Sequence, residues 1–167
     1  VYDVKLIRER ARGFKKTFEE LGISAQVAYA SKAFSSIAMI QLADQEGLSL
    51  DVVSAGELYT AIKANFPTER IHFHGNNKSE EELHMALDYD IGCIVVDNFS
   101  ELTLLEEICT NREQKMKILL RVTPGIEAHT HDYILTGQED SKFGFDLING
   151  QAEGALRQAL QSEFLEV

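Results

Sequence analysis

Five short apolar runs rich in β-branched residues recur about every 22 residues, and they constrain the fold of this chain more than any other feature. The segments between them have the three- and four-residue apolar spacing of amphipathic helices. Regular alternation of strands and helices is typical of repeated βα units around a parallel sheet. The runs are VAYAS at 27–31, LSLDVV at 48–53, RIHFH at 70–74, GCIVV at 92–96 and KILLRV at 117–122.

Polar residues at the starts of the predicted helices indicate where strands turn into helices. Asp3 is a candidate N-cap for the opening helix. Ser54 with Glu57, and Ser79 with Glu82, have the S-x-x-E spacing of a capping box directly after a strand. Each pair therefore predicts a strand-to-helix turn.

Two sheet architectures are built from such units, the open doubly wound fold and the closed (βα)8 barrel. No G-x-G-x-x-G follows the first strand, which weakens the dinucleotide-binding form of the open fold. In that strand Ala28 and Ala30 share a face with Lys32 if the lysine points inward. Small residues beneath an inward lysine favour the mouth of a barrel.

The number of strands is too small to complete a barrel. FLEV at 164–167 indicates the start of a sixth strand, whereas a closed barrel of this type needs eight. Either the chain has been cut or the fold is an open half, which would leave strand edges and an apolar face in water. We therefore predict an α/β fold, a partial (βα)8 TIM-type barrel of about five to six βα units over residues 1–167.

Composition and charge narrow the classes of function. The formal net charge of -11 argues against nucleic acid, whose binders concentrate Lys and Arg, so we expect a small-molecule partner. The opening residues VYDVKLIRER contain neither a secretory signal nor a transmembrane segment, so we expect a cytoplasmic protein without membrane contact. Cys93 and Cys109 lack CxxC spacing, and we interpret both as core residues rather than disulfide or zinc ligands.

Lys32 is the main candidate for chemistry. A lysine at the end of a mostly apolar strand would be partly desolvated, which favours the neutral amine that can form a Schiff base with an aldehyde. The alternative is a lysine that only extends from a strand end into solvent. From this one residue alone, the structural alternative is the stronger.

Five segments resemble, in order, motifs of the diaminopimelate decarboxylases. These enzymes belong to the barrel-type decarboxylases that use pyridoxal 5'-phosphate (PLP), together with ornithine and arginine decarboxylases. Five ordered motifs are much more specific than any one of them. The segments are YASKAF around Lys32, LDVVSAGELY at 50–59, RIHFHGNNKSEEEL at 70–83, LLRVTPG at 119–125 and AHTHDYILTGQEDSKFGFDL at 128–147.

The resemblance implies that PLP is the cofactor and that Lys32 is the catalytic residue that binds it covalently. Asp51 and Glu57 resemble two acidic residues close to the cofactor lysine, with Asp51 the better candidate because a capping box also accounts for Glu57. Arg121 and His74 are further candidate cofactor contacts. A structural ion pair for Arg121, and simple packing for His74, remain alternatives.

Two positions near the lysine depart from the commonest family form. Ser31 stands where valine is usual, and Phe34 stands where asparagine is usual. We interpret both as local variation that alters the packing around the cofactor.

The polar stretch 124–143 resembles a mobile loop near the active site of the family, although a solvated surface connection is the alternative. Pairs of histidines spaced two apart suggest a metal site, but no Cys or paired carboxylate completes a ligand set, so we predict no metal. The candidate lid or substrate residues are His129, His131, Tyr133, Ser141 and Lys142.

The function implied by the resemblance is decarboxylation of meso-diaminopimelate to L-lysine, with this chain as the N-terminal portion of the PLP-binding barrel domain of a homodimer. The rest of the barrel and a C-terminal β domain would lie outside it. We therefore expect the isolated segment to bind PLP weakly and not to turn over. The alternatives are an ornithine or arginine decarboxylase or a related racemase, and, in another class, a non-catalytic PLP-binding or interaction domain.

Overall fold

A parallel sheet of six strands forms the centre of the structure, a computed structural model that describes residues 1–125 and 143–167. A second sheet in these residues pairs two short strands. The strands of the large sheet are β1 (Ala28–Ala30), β2 (Ser49–Val52), β3 (Ile71–Phe73), β4 (Cys93–Val96), β5 (Met116–Leu120) and β8 (Leu165–Glu166), and those of the small sheet are β6 (Val122–Thr123) and β7 (Phe145–Asp146). The helices are α1 (Val4–Glu20), α2 (Ile37–Gln45), α3 (Ala55–Lys63), α4 (Glu80–Asp88), α5 (Phe99–Arg112) and α6 (Gln151–Gln161).

The order of the strands distinguishes the two architectures considered from the sequence. In the large sheet the order is β1-β2-β3-β4-β5-β8, which follows the chain without a reversal. A doubly wound sheet reverses its strand order at a switch point, whereas barrel strands follow one another. The predicted partial barrel is confirmed, including a sixth strand inside the predicted segment 164–167.

One face of the sheet packs against the helices and forms the core. Fully buried aliphatic and aromatic side chains alternate along the strands on this face, each contributing roughly 1.5–3 kcal/mol by its burial. They include Leu50, Val52, Ile71, Phe73, Ile94 and Val96. The opposite, inner face therefore carries the intervening residues, and Ala28 and Ala30 are exposed on it as the barrel interpretation requires.

The helix starts follow the polar signals of the sequence, with one exception. Asp3 Oδ1 accepts a hydrogen bond from the backbone N–H of Leu6 at 3.0 Å, and the Ser79–Glu82 capping box is complete. At α3 only half of the predicted box forms, because the side chain of Glu57 accepts the backbone N–H of Val53, one residue before the N-cap Ser54, instead of that of Ser54.

The fifth strand ends earlier than predicted. It covers Met116–Leu120, and Arg121 lies between β5 and β6 instead of inside one strand over 117–122. Here Gly144 has a φ of +76°, and a Cβ on it would lie 2.7 Å from the carbonyl oxygen of Arg121. A glycine is therefore needed where β7 approaches the residue between the two strands.

Both cysteines lie in the core, as predicted. Cys93 and Cys109 are buried and unpaired, and burial raises the pKa of each thiol to about 11. In the part of the chain that the structure describes, none of the helices combines the length and apolarity needed to span a bilayer.

Candidate active site

Lys32 lies at the carboxyl end of β1, at the edge of the sheet where active sites of parallel barrels form. It is the middle residue of a single 3-10 turn, Ser31–Ala33. Its side chain is exposed, so the partial burial expected from the sequence is not provided by the described residues. Within residues 1–125 and 143–167, no hydrogen bond or ion pair engages Lys32 Nζ.

Asp51 lies beside β1 on the inner face, since it pairs in register with Ala30. Its Oδ1 lies 3.1 Å from Nδ1 of His72 and 3.5 Å from Nε2 of His74. Burial raises the pKa of Asp51, but the hydrogen bonds from His72 and then His74 outweigh it, so the pKa lies well below its usual range. The arrangement holds Asp51 as a carboxylate between two imidazoles.

His74 was predicted from the sequence, whereas His72 was not. His72 is the register partner of Asp51 across β2 and β3, so the alternation of side chains brings both to the inner face. The sequence signal that could have identified His72 is its spacing of two residues from His74 in RIHFH, which places both histidines on one side of a strand. That spacing was considered only as a metal ligand pattern.

Glu57 joins the ends of β1 and β2. Its Oε2 lies 2.6 Å from the hydroxyl oxygen of Ser31 and accepts a hydrogen bond from the backbone N–H of Val53 at 3.0 Å. The Ser31 hydroxyl also lies 2.8 Å from the carbonyl oxygen of Asp51. The Glu57 carboxylate therefore lies next to the turn that carries Lys32.

Arg121 forms an ion pair with Asp97, which follows β4. The Nη1 atom of Arg121 donates to Oδ1 of Asp97 at 3.1 Å, and Oδ2 of Asp97 accepts the backbone N–H of Gly144 at 3.1 Å. The guanidinium carbon lies 4.4 Å from the ring centroid of Phe143, a cation–π contact. This geometry gives Arg121 the structural partner considered from the sequence, and a cofactor contact remains a prediction.

A buried ion pair that sequence reasoning missed lies beneath the ends of β3 and β4. Lys78 Nζ lies 2.8 Å from Oε1 of Glu101 and donates to the carbonyl oxygens of Gly75 at 2.7 Å and Val95 at 2.9 Å. The two side chains are 1% and 4% exposed. Burial raises the pKa of Glu101, although Lys78 opposes the shift.

The five candidate residues of the predicted loop lie outside the described residues. They are His129, His131, Tyr133, Ser141 and Lys142. Among residues 1–125 and 143–167, no three His, Cys, Asp or Glu side chains are grouped so that they could hold a metal ion.

Comparison with known proteins identifies the family of this chain. Residues 4–167 match the model of the family described as "Pyridoxal-dependent decarboxylase, pyridoxal binding domain". The chain belongs to this family. The resemblance drawn from the five ordered motifs is thereby confirmed for a pyridoxal-dependent decarboxylase domain, whose description names pyridoxal as the group it binds.

Relatives of this pyridoxal-dependent decarboxylase domain include several diaminopimelate decarboxylases. That of Bacillus methanolicus is 76% identical over 167 residues, covering 100% of this chain and 39% of the relative, and that of Bacillus subtilis (strain 168) is 70% identical, covering 100% and 38%. The crystal structure of the Helicobacter pylori enzyme complexed with L-lysine has a TM-score of 0.92 at 34% identity, covering 99% of this chain and 41% of that one. The chain thus spans about two fifths of the length of its relatives.

The described residues fit a cofactor with an aldehyde group. Such a group needs an amine that no carboxylate holds, and Lys32 Nζ meets this need in the part of the chain that is described. Lys78, in contrast, is buried and fully engaged. Lys32 is therefore the residue of this edge that would hold the cofactor, with Asp51 on the neighbouring strand.

Proposed function

We propose that this chain supplies the lysine-bearing part of a PLP-dependent decarboxylase that converts meso-diaminopimelate to L-lysine. The observation that carries the proposal is the amine of Lys32 at the carboxyl edge of the sheet, which no side chain of the described residues engages, one strand from the Asp51 carboxylate in a pyridoxal-dependent decarboxylase domain. The 76% identity to a diaminopimelate decarboxylase supports the choice of substrate.

The residues at the carboxyl edge of the sheet have different proposed roles. When bound, PLP supplies an electron sink for the carbanion that remains after carbon dioxide leaves. Lys32 holds the cofactor in place, and Asp51 presents a fixed negative charge on the inner face. His74 and Arg121 are proposed cofactor contacts, and the loop residues His129, His131, Tyr133, Ser141 and Lys142 are proposed to contact substrate.

The whole enzyme is proposed to be a cytoplasmic homodimer in which the rest of the barrel and a C-terminal β domain complete the active site. In this proposal residues 1–167 form the N-terminal portion of the PLP-binding barrel domain. The H. pylori and M. jannaschii diaminopimelate decarboxylases complexed with L-lysine support an amino-acid ligand for proteins of this shape.

Borohydride trapping tests the role of Lys32. The full-length protein that carries this chain is treated with PLP and borohydride, digested, and analysed by peptide mass spectrometry. Label is expected on Lys32, and Lys32→Ala is expected to abolish it and to lower decarboxylation by at least about a hundredfold. The control is Lys63→Ala, because Lys63 is exposed at the end of α3 and lies over Tyr59.

Carbon dioxide release tests the substrate. The full-length protein is given meso-diaminopimelate, ornithine and arginine under the same conditions, and release is expected from meso-diaminopimelate. Faster release from ornithine or arginine would assign the chain to another member of the family. Binding of PLP without release from any of them would favour a non-catalytic PLP-binding domain.

A further inference from the structure

The Glu57 carboxylate is not bound where its sequence position predicts. In the Ser79–Glu82 capping box, the Glu82 side chain returns to its own helix and accepts the backbone N–H of Ser79 at 3.0 Å. At α3, Ser54 Oγ accepts the backbone N–H of Glu57 at 3.3 Å in the same way. Glu57 Oε2, however, accepts the backbone N–H of Val53, one residue before the N-cap, at 3.0 Å and lies 2.6 Å from the Ser31 hydroxyl oxygen after β1, so this glutamate has an additional contact that its counterpart lacks.

Ser31 is the group that Glu57 meets there. Its side chain is fully buried, and its single hydroxyl proton has two acceptors, Glu57 Oε2 at 2.6 Å and the carbonyl oxygen of Asp51 at 2.8 Å. Both acceptors belong to the end of β2 or the helix that follows it. Whichever of them takes the proton, the hydroxyl ties the end of β1 to its neighbouring strand.

This tie acts on the turn that carries Lys32. Ser31 is the first residue of that turn, and its carbonyl oxygen accepts the backbone N–H of Phe34 at 3.0 Å. On the other side of the turn, the hydroxyl of Tyr29 donates to the carbonyl oxygen of Phe34 at 3.0 Å. A single turn has little internal hydrogen bonding, so these side-chain contacts set where it sits on the sheet.

The Ser31 hydroxyl also contacts the backbone of Asp51. Its carbonyl oxygen faces the Ser31 hydroxyl, while its carboxylate faces His72 and His74. The position of Ser31 therefore couples the turn of Lys32 to the backbone of Asp51, whose carboxylate lies on the inner face. A shift of the turn of Lys32 would therefore displace the backbone of Asp51.

We infer that Ser31 and Glu57 form a positioning pair, which fixes the turn of Lys32 against the end of β2 so that its amine meets the cofactor in one orientation. This inference rests on the proposed function, because it assigns the pair a role only if Lys32 binds PLP. Neither residue needs to touch the cofactor. The pair acts through the backbone of the turn and through Asp51.

The test compares Ser31→Ala, Glu57→Gln and the double variant in the full-length protein. Two quantities are measured for each: the rate of borohydride-trapped labelling of Lys32 by PLP, and the pH dependence of the absorption of the bound cofactor. Each single variant is expected to slow labelling by about tenfold and to shift the pH profile, because a charge-assisted hydrogen bond is lost. The double variant is expected to be no slower than the slower single variant, since both changes remove the same contact.

The matched control is Glu153→Gln. It makes the same chemical change in an exposed pair with Arg157 on α6, whereas Glu82 is unsuitable because its Oε1 accepts the backbone N–H of Ala55 at the start of α3 at 2.7 Å. Glu153→Gln is expected to leave the labelling rate and the pH profile unchanged. Parental behaviour of both single variants, additive effects in the double variant, or an equal shift in Glu153→Gln would overturn the inference and leave the proposed function intact. Absence of label on Lys32 in the parent protein would overturn both.

Discussion

The carboxylate of Asp51 and the imidazole of His72 face each other across β2 and β3, with Oδ1 and Nδ1 3.1 Å apart. The two residues are register partners, so their contact follows from the pairing of the strands and not from a loop conformation. His74 approaches the same oxygen from the strand end, at 3.5 Å. The carboxylate of Asp51 on β2, the strand next to β1, is therefore held by His72 on β3 and by His74 just after it.

The first prediction concerns the pKa of Asp51. His72→Leu removes one of the two imidazoles whose hydrogen bonds outweigh burial, so the pKa of Asp51 is expected to rise from its lowered position. The measurement is an NMR titration of the Asp51 carboxyl carbon in the full-length protein. His84→Leu is the control, since His84 lies on α4 near Glu80, and it should leave the titration of Asp51 unchanged. An unaltered Asp51 titration in His72→Leu would contradict this account.

The second prediction concerns Asp97, which holds both Arg121 and the backbone of Gly144. Asp97→Asn leaves a guanidinium without its charged partner, so the free energy of unfolding is expected to fall by about 1–3 kcal/mol. Urea unfolding of the full-length protein measures the change. The control is Asp88→Asn, because Asp88 pairs with Arg112 but is 59% exposed, and exposed pairs contribute at most about 1 kcal/mol. Equal losses in the two variants would show that burial of Asp97 does not matter.

The third prediction concerns the buried pair of Lys78 and Glu101. Lys78→Met leaves the Glu101 carboxylate buried without its cation, which is expected to cost about 3–5 kcal/mol of the free energy of unfolding. Replacing both residues, as Lys78→Met with Glu101→Leu, should restore most of the loss because no isolated charge remains. The unfolding midpoints of both variants are compared with that of Lys115→Met, whose lysine is 66% exposed.

The pH dependence of Lys78→Met follows from the direction of the shift. Burial already raises the pKa of Glu101, and loss of the cation raises it further. A group whose pKa is raised on folding stabilises the protein below its unfolded pKa, and this contribution is lost as the pH rises through the folded value. The Lys78→Met variant should therefore lose stability relative to the parent as the pH increases from about 4 upward. A destabilisation that is greatest in acid would contradict the assignment.

The strands could be placed from sequence because their signal is local. The first four apolar runs contain the strands that the structure has, the fifth overlaps β5 at 117–120, and the box at Ser79 and Glu82 forms as its spacing predicts. The break at Arg121 was missed because it depends on Gly144, which approaches from a segment far along the chain. Local periodicity contains no information about such an approach.

The side-chain contacts of the site were harder to predict, because each joins residues that are far apart in the sequence and meet only in the folded chain. Glu57 has the spacing of a cap, yet its partner Ser31 lies in the 3-10 turn after β1. Lys78 follows two asparagines in a polar segment, and lysine is rarely buried without a charged partner, so its burial could not be inferred before Glu101 was known to lie beside it. Lys32 was proposed as the cofactor lysine from its place at a strand end and from the motif around it, whereas its exposure was not foreseen.

The fourth prediction concerns the attachment of α1 in acid. Glu46 accepts hydrogen bonds from Arg8 at 2.5 Å and Arg12 at 2.7 Å, and its backbone carbonyl accepts one from Lys15 at 3.0 Å. The hydrogen bonds of Arg12 and then Arg8 lower the pKa of Glu46 to about 2. A carboxyl whose pKa is lowered on folding stabilises the protein above its ordinary value of 4.5, and this contribution is lost as the pH falls through about 2.

Glu46→Gln tests this directly, because glutamine keeps the shape of the side chain without the charge. The difference in the free energy of unfolding between the parent and Glu46→Gln is expected to be constant above about pH 5 and to shrink steadily toward about pH 2. Urea unfolding at a series of pH values measures it. Glu20→Gln, which removes an exposed partner of Lys16 on the same helix, should show a small difference at every pH. If the Glu46→Gln difference stayed the same down to about pH 2, the two arginines would not be holding α1 through the charge of Glu46.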